Sequence, residues 1–179
     1  MNTSFTTYWL WLRVAVFSGF LLASAALAAQ DFIVVTASSR LYAVDISNCE
    51  ATLLSTLQPP FIGLTDITFT PDGQLWGVRS SGELYLVNPN TGEQTLQGQL
   101  PQGGGAFFTS LVADQNGLIY SVGANGDLST FDPATDTPDY LGNVGFGSAG
   151  DLTFVDGQLV MAGSSNQMIA IDLGNLGDS

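Results

Sequence analysis

Asp66 and Asp151 are the residues of this sequence whose type and placement best suit them to hold a cation. They occupy the same place in an internal repeat, each at the opening of a first strand, with Ser110 in the matching place between them. Carboxylate and hydroxyl oxygens are the ligands Ca2+ takes, so Asp66 and Asp151 are calcium-ligand candidates. The competing reading makes them strand-entry residues bonded to main-chain N–H groups.

Other clusters carry less chemistry. Asp132, Asp136 and Asp139 crowd one turn, with Asp127 just upstream. That run lacks the spacing, mid-loop glycine and closing bidentate Glu of a calcium loop, and reads as a solvated acidic loop. Glu50, Glu83 and Glu93 fall in turn-rich stretches and form no pair with one carboxyl buried for acid–base work. Residues 101–106 and 145–150 are glycine-rich, but no helix or Lys follows to make a phosphate cradle. They read as linkers between units. Cys49, the single cysteine, has no basic neighbour in sequence to activate it and reads as a turn-edge thiol. No catalytic residue is assigned.

Composition narrows the function further. The 179 residues hold 3 Lys+Arg, 16 Asp+Glu and no His, for a net charge of -13. With no Lys and three Arg there is nothing to neutralise a row of phosphates, so nucleic acid is excluded as a partner. Without His, neither a Ser-His-Asp triad nor a His-ligated metal can form. One Cys rules out a disulfide framework within the chain.

Residues 1–29 read as a signal peptide: a polar start, an apolar run from Val14 to Leu27, and small residues at Ala26 and Ala28 of an A-x-A cleavage site. The alternative is a retained membrane anchor over Tyr8–Leu27. Both place the remainder outside the cytoplasm, in the periplasm, in the medium or at the cell surface.

The elements that position these residues come from the repeat. Leu41-Tyr42-Ala43-Val44-Asp45 recurs as Leu84–Asn88, Leu128–Asp132 and Met168–Asp172, in steps of 43, 44 and 40 residues. Asp72-Gly73-Gln74-Leu75-Trp76 recurs in phase at 116–120 and 156–160. Leu57, Leu100 and Val144 each fall 12 residues after the Asp or Asn. Each unit predicts four short strands: 65–70, 75–79, 83–87 and 94–100 in the second unit. The Asp or Asn after each third strand predicts an Asx turn, and the Gly of each Asp-Gly or Asn-Gly a positive φ. Tyr42, Val44, Tyr85, Val87, Phe131, Ile169 and Ile171 alternate along the third strands and predict packing between units.

Antiparallel four-stranded units of this length predict an all-β fold, a β-propeller of about 3.5–4 blades. The expected organisation is 30–60 for a first blade lacking its inner strand, 61–101, 102–145, and 146–179 for a fourth blade lacking its outer strand. Three readings stay open: a fragment of a longer propeller, a small four-bladed ring, or two chains paired through open edges as a homodimer. In a propeller the first strands line the central channel, which is where Asp66 and Asp151 would stand.

The stretch TDITFTPDGQLWGV…GELYLVNPNTGE resembles the repeats of secreted bacterial β-propellers and, more loosely, blades of the NHL, lactonase and YVTN types. The resemblance implies the fold over about residues 31–178 and leaves activity open. The expected function is a secreted or cell-surface binding or scaffold module without catalysis, its partner a protein, glycan or small ligand. The alternatives are a Ca-dependent lactonase-type hydrolase, with Asp66 and Asp151 as ligands, and a purely structural part of a longer surface protein. No other cofactor is expected.

Overall fold

The computed structural model describes residues 32–35, 38–59, 63–104 and 107–176. The signal segment expected at 1–29 lies outside them. Among the described residues there are fourteen strands and no helix, hence none long and apolar enough to cross a membrane. They form four antiparallel sheets in which each strand pairs with its neighbour in sequence. The first sheet holds β1 (Phe32–Val35), β2 (Arg40–Asp45) and β3 (Glu50–Thr56). The second holds β4 (Asp66–Phe69), β5 (Leu75–Val78), β6 (Glu83–Val87) and β7 (Gln94–Gln99). The third holds β8 (Val112–Ala113), β9 (Ile119–Val122), β10 (Asp127–Asp132) and β11 (Thr137–Asn143). The fourth holds β12 (Ser148–Val155), β13 (Gln158–Gly163) and β14 (Gln167–Ile171). This is the all-β, four-stranded-unit architecture expected, with three strands in each outer sheet.

Local chemistry explains the turns. Each repeat-marking Asp or Asn accepts the N–H two residues on: Ser47 onto Asp45 at 2.8 Å, Asn90 onto Asn88 at 3.0 Å, Ala134 onto Asp132 at 2.9 Å and Gly174 onto Asp172 at 2.9 Å. These are the Asx turns expected, and they replace backbone hydrogen bonds that a sharp reversal cannot make. Leu57, Leu100 and Val144 close the outer hairpins by donating their N–H groups to Ser39, Gly82 and Gly126. All three side chains are buried.

The core lies between sheets. Leu41, Leu57, Leu75, Tyr85 and Val87 join the first sheet to the second. Trp76, Val78, Leu84, Phe108, Ile119 and Phe131 are central to the junction between second and third. Tyr120, Val122, Leu128, Leu152, Met161 and Ile169 are central to the junction between third and fourth. The second and third sheets therefore each have a face toward the following sheet and a face toward the preceding one, which is why their central strands β5, β9 and β10 are buried on both faces. No strand of the first sheet packs extensively on a strand of the fourth among the described residues.

One linker differs from expectation. The strand after Val144 begins at Ser148, within the stretch read as a spacer. Ser148 is buried and donates its N–H to Gly123 at 3.2 Å, and the pairing with β13 slips between Ser148 and Leu152. A bulge thus lets the inner strand begin as early as Ser148, so that Asp151 sits mid-strand rather than at its opening.

Candidate functional site

Asp66 stands at the start of β4, largely buried, with both carboxylate oxygens in use. Oδ1 accepts the N–H of Ile67 at 2.8 Å, and Oδ2 accepts the N–H of Leu111, in the next unit, at 2.6 Å. Two residues on, Thr68 Oγ1 accepts the N–H of Ala113 at 3.2 Å. Asp66 and Thr68 therefore clamp one inner strand to the next, each across 45 residues of chain. Ser110 is buried and committed within its own sheet: its hydroxyl donates to the Val122 carbonyl at 3.1 Å and accepts the Val122 N–H at 3.2 Å. Asp151 is exposed, close enough for its charge to act on Asp66. No group of three or more His, Cys, Asp or Glu placed to hold a metal occurs among the described residues.

Burial pushes the Asp66 carboxyl up to about 7 from 3.8; the N–H groups of Ile67 and Leu111 oppose this, and the nearby Asp151 charge adds to it. Between these two values the folded chain holds a proton that the unfolded chain has released, so the contribution is full below 3.8 and lost as pH rises through 7. The expected result is that the wild type gains melting temperature between pH 7.5 and 5 by more than Asp66→Asn does. Thermal denaturation of both proteins across this range checks it. Parallel curves would show that Asp66 titrates at an ordinary value.

A cleft of about 380 Å³ opens between the second and third sheets. Thr70, Asp72, Gln74 and Trp76 line it from one side, Asn116 and Asp132 from the other. Tight turns build this rim. Thr70 donates its hydroxyl to Asp72 Oδ1 at 2.5 Å, and Gly73 and Gly117 take positive φ as expected. Asp132 is held below the usual carboxylate range by the Thr135 hydroxyl and the Ala134 N–H. Trp76 is buried to 3% exposure and its ring meets Phe131 at 5.8 Å, yet its indole N–H has no hydrogen-bond partner. A buried polar atom left unpaired is costly, and among the described residues Gln94 Oε1 is in the same state.

A second cluster corrects the reading of the acidic turn. Asp127 is buried, not part of the solvated loop. Its carboxylate accepts Asn125 Nδ2 at 2.8 Å, Asn143 Nδ2 at 2.9 Å and the Tyr140 hydroxyl at 3.1 Å. A Cβ on Gly103 would come within 2.8 Å of this carboxylate, so the glycine-rich linker lies directly against it. Neutral amide and hydroxyl donors satisfy the charge without any cation. Cys49 is exposed and free, at a turn position with φ 60°.

Comparison with known proteins supports the fold. One solved structure like this one is a structural-genomics protein of unknown function from Bacteroides thetaiotaomicron VPI-5482. It is 16% identical, with a TM-score of 0.58 over 81% of this chain and 42% of that one. Another is described as YCF48 bound to D1 peptide, 15% identical, with a TM-score of 0.53 over 85% of this chain and 49% of that one. Both are propeller-like, and this chain spans less than half the length of either. No curated protein matches the sequence. A family described as "Repeat of unknown function (DUF6923)" matches residues 19–112. That match takes in more than half of a chain whose turns, buried leucines and sheet junctions recur unit by unit, and the protein belongs to this repeat family.

Proposed function

We propose that the protein is a secreted or cell-surface binding module that works without catalysis, and that the cleft between its second and third sheets receives a basic segment of a partner polypeptide. The two carboxylates that flank this cleft, Asp72 on one side and Asp132 on the other, carry the reading. Asp72 and Asp132 attract a cationic side chain. Gln74 and Asn116 add amide groups that both donate and accept, as a peptide backbone requires. The peptide bound by the neighbour YCF48 makes peptide binding a use to which this kind of fold is suited.

The test is fluorescence titration with an oligo-arginine peptide and an oligo-glutamate peptide, taking the difference between wild type and Trp76→Phe as the Trp76 signal. The basic peptide is expected to change that signal and the acidic peptide to leave it alone. Raising salt and the pair Asp72→Asn with Asp132→Asn are each expected to weaken binding, since rim charges act through screened attraction. Equal response to both peptides, or affinity untouched by these substitutions, would rule the cleft out. The calcium-dependent hydrolase reading makes a separate demand: Ca2+ binding lost in Asp151→Asn, and lactone turnover abolished by EDTA.

A further inference from the structure

Two of the three sheet junctions within the chain are built on the same repeat positions. Where the second sheet meets the third, the forward side brings Asp66, Thr68, Val78 and Leu84, and the two hydroxyl and carboxylate groups clamp the main chain of the next inner strand. At the junction of first and second sheets, Leu41 of the forward face packs in one cluster with Tyr85 and Val87 of the following sheet.

The fourth sheet repeats the forward set. Asp151 and Thr153 stand in β12 as Asp66 and Thr68 stand in β4, and Met168 holds the repeat position of Leu41 and Leu84. Here the set is open. Asp151, Thr153 and Ala170 are exposed, and Met168 is 73% exposed where Leu41 and Leu84 are 0%. The complementary half is open as well. Tyr42 and Val44 of the first sheet hold the positions of Tyr85 and Val87, but they are only half-buried where Tyr85 and Val87 are buried. One chain thus presents both halves of a junction it already builds internally, at opposite ends of its row of sheets.

We propose that the forward face of the fourth sheet, centred on Asp151, Thr153 and Met168, docks the Tyr42–Val44 face of a second copy of this chain. A two-fold axis lets each copy cover the other's open face, so the pair makes two identical junctions. Met168 packs on Tyr42 of the second copy as Leu41 packs with Tyr85. The inference is independent of the peptide cleft, which lies between the second and third sheets.

The experiment is multi-angle light scattering on protein recovered from cells expressing the full chain, with single-chain mass taken by mass spectrometry of the same sample. The expected mass is twice that of one chain and independent of loading. Met168→Glu and Ala170→Glu, both at exposed positions, are expected to give the single-chain mass with an unchanged circular-dichroism spectrum. Gln97→Glu, exposed on β7, is expected to keep the double mass. A wild type that runs at single-chain mass, or as open-ended larger species, overturns the closed pair. A double mass that persists in both glutamate variants overturns the proposed face.

Discussion

Phe131→Ala is expected to destabilise the protein by about 3–5 kcal/mol, the range for a large aromatic removed from a closed core. Phe131 lies on the third sheet and is 2% exposed. Its ring contacts Trp76 of the second sheet at a centroid distance of 5.8 Å and an interplanar angle of 50°. The second sheet comes so close at Gly98 that a Cβ there would stand 2.5 Å from the Phe131 ring. The truncation opens a cavity between two sheets rather than at a surface, and the rigid β7 backbone at Gly98 cannot collapse into it without losing its ladder with β6. Chemical denaturation read by circular dichroism measures the loss. A cost under about 1 kcal/mol, the level of ordinary surface substitutions, would mean that the second and third sheets are not held by this ring. Phe131 is also the floor behind Trp76, so the same substitution is expected to weaken peptide binding at the cleft.

Gly92→Ala is expected to cost about 2–5 kcal/mol, combining left-handed strain of ~1–2 kcal/mol with overpacking of ~1–3 kcal/mol. Gly92 has φ +76° in the turn that leads into β7. Its repeat equivalents Cys49 and Asp136 hold φ 60° and 53° while carrying side chains, so the conformation alone is bearable here. What distinguishes Gly92 is its neighbour. A Cβ would run into the main-chain carbonyl of Thr56, in the first sheet, where backbone rather than a flexible side chain must yield. The Gly92 carbonyl also accepts the Gln58 N–H at 2.7 Å, so displacement breaks a bond between sheets. Asp136→Ala is the internal control, expected to cost no more than the conformational part. Equal melting temperatures for the two alanine variants would show that the Thr56 contact is not limiting.

Much of this protein is legible in its repeat. Asp45, Asn88, Asp132 and Asp172 form their Asx turns through side chains that reach two or three residues along the chain. The positive φ of Gly73, Gly117 and Gly157 is likewise a property of a few consecutive residues. The period carried the rest: one unit read correctly gives the antiparallel strands of the others.

Other features were hidden because they depend on residues about a whole repeat apart or on burial that spacing does not report. Asp127 looked like one more charge beside an acidic turn, yet it is buried under Asn125, Tyr140 and Asn143. Nothing local distinguishes it from Asp139, which is exposed. Asp66 and Asp151 look alike in sequence, but the next sheet covers only the first.

Sequence by itself thus determined the strands, their turns, the order of the sheets, the acidic charge and the absence of histidine chemistry, because these follow from residue type and short-range spacing. Only the tertiary structure decided which face of each sheet is covered, that Asp66 spends its carboxylate on Leu111, and that Trp76 is buried with its N–H unpaired. Those outcomes depend on how one sheet stacks on the next. Stacking is set by the fit of side chains about 45 residues apart, and no local pattern encodes that fit.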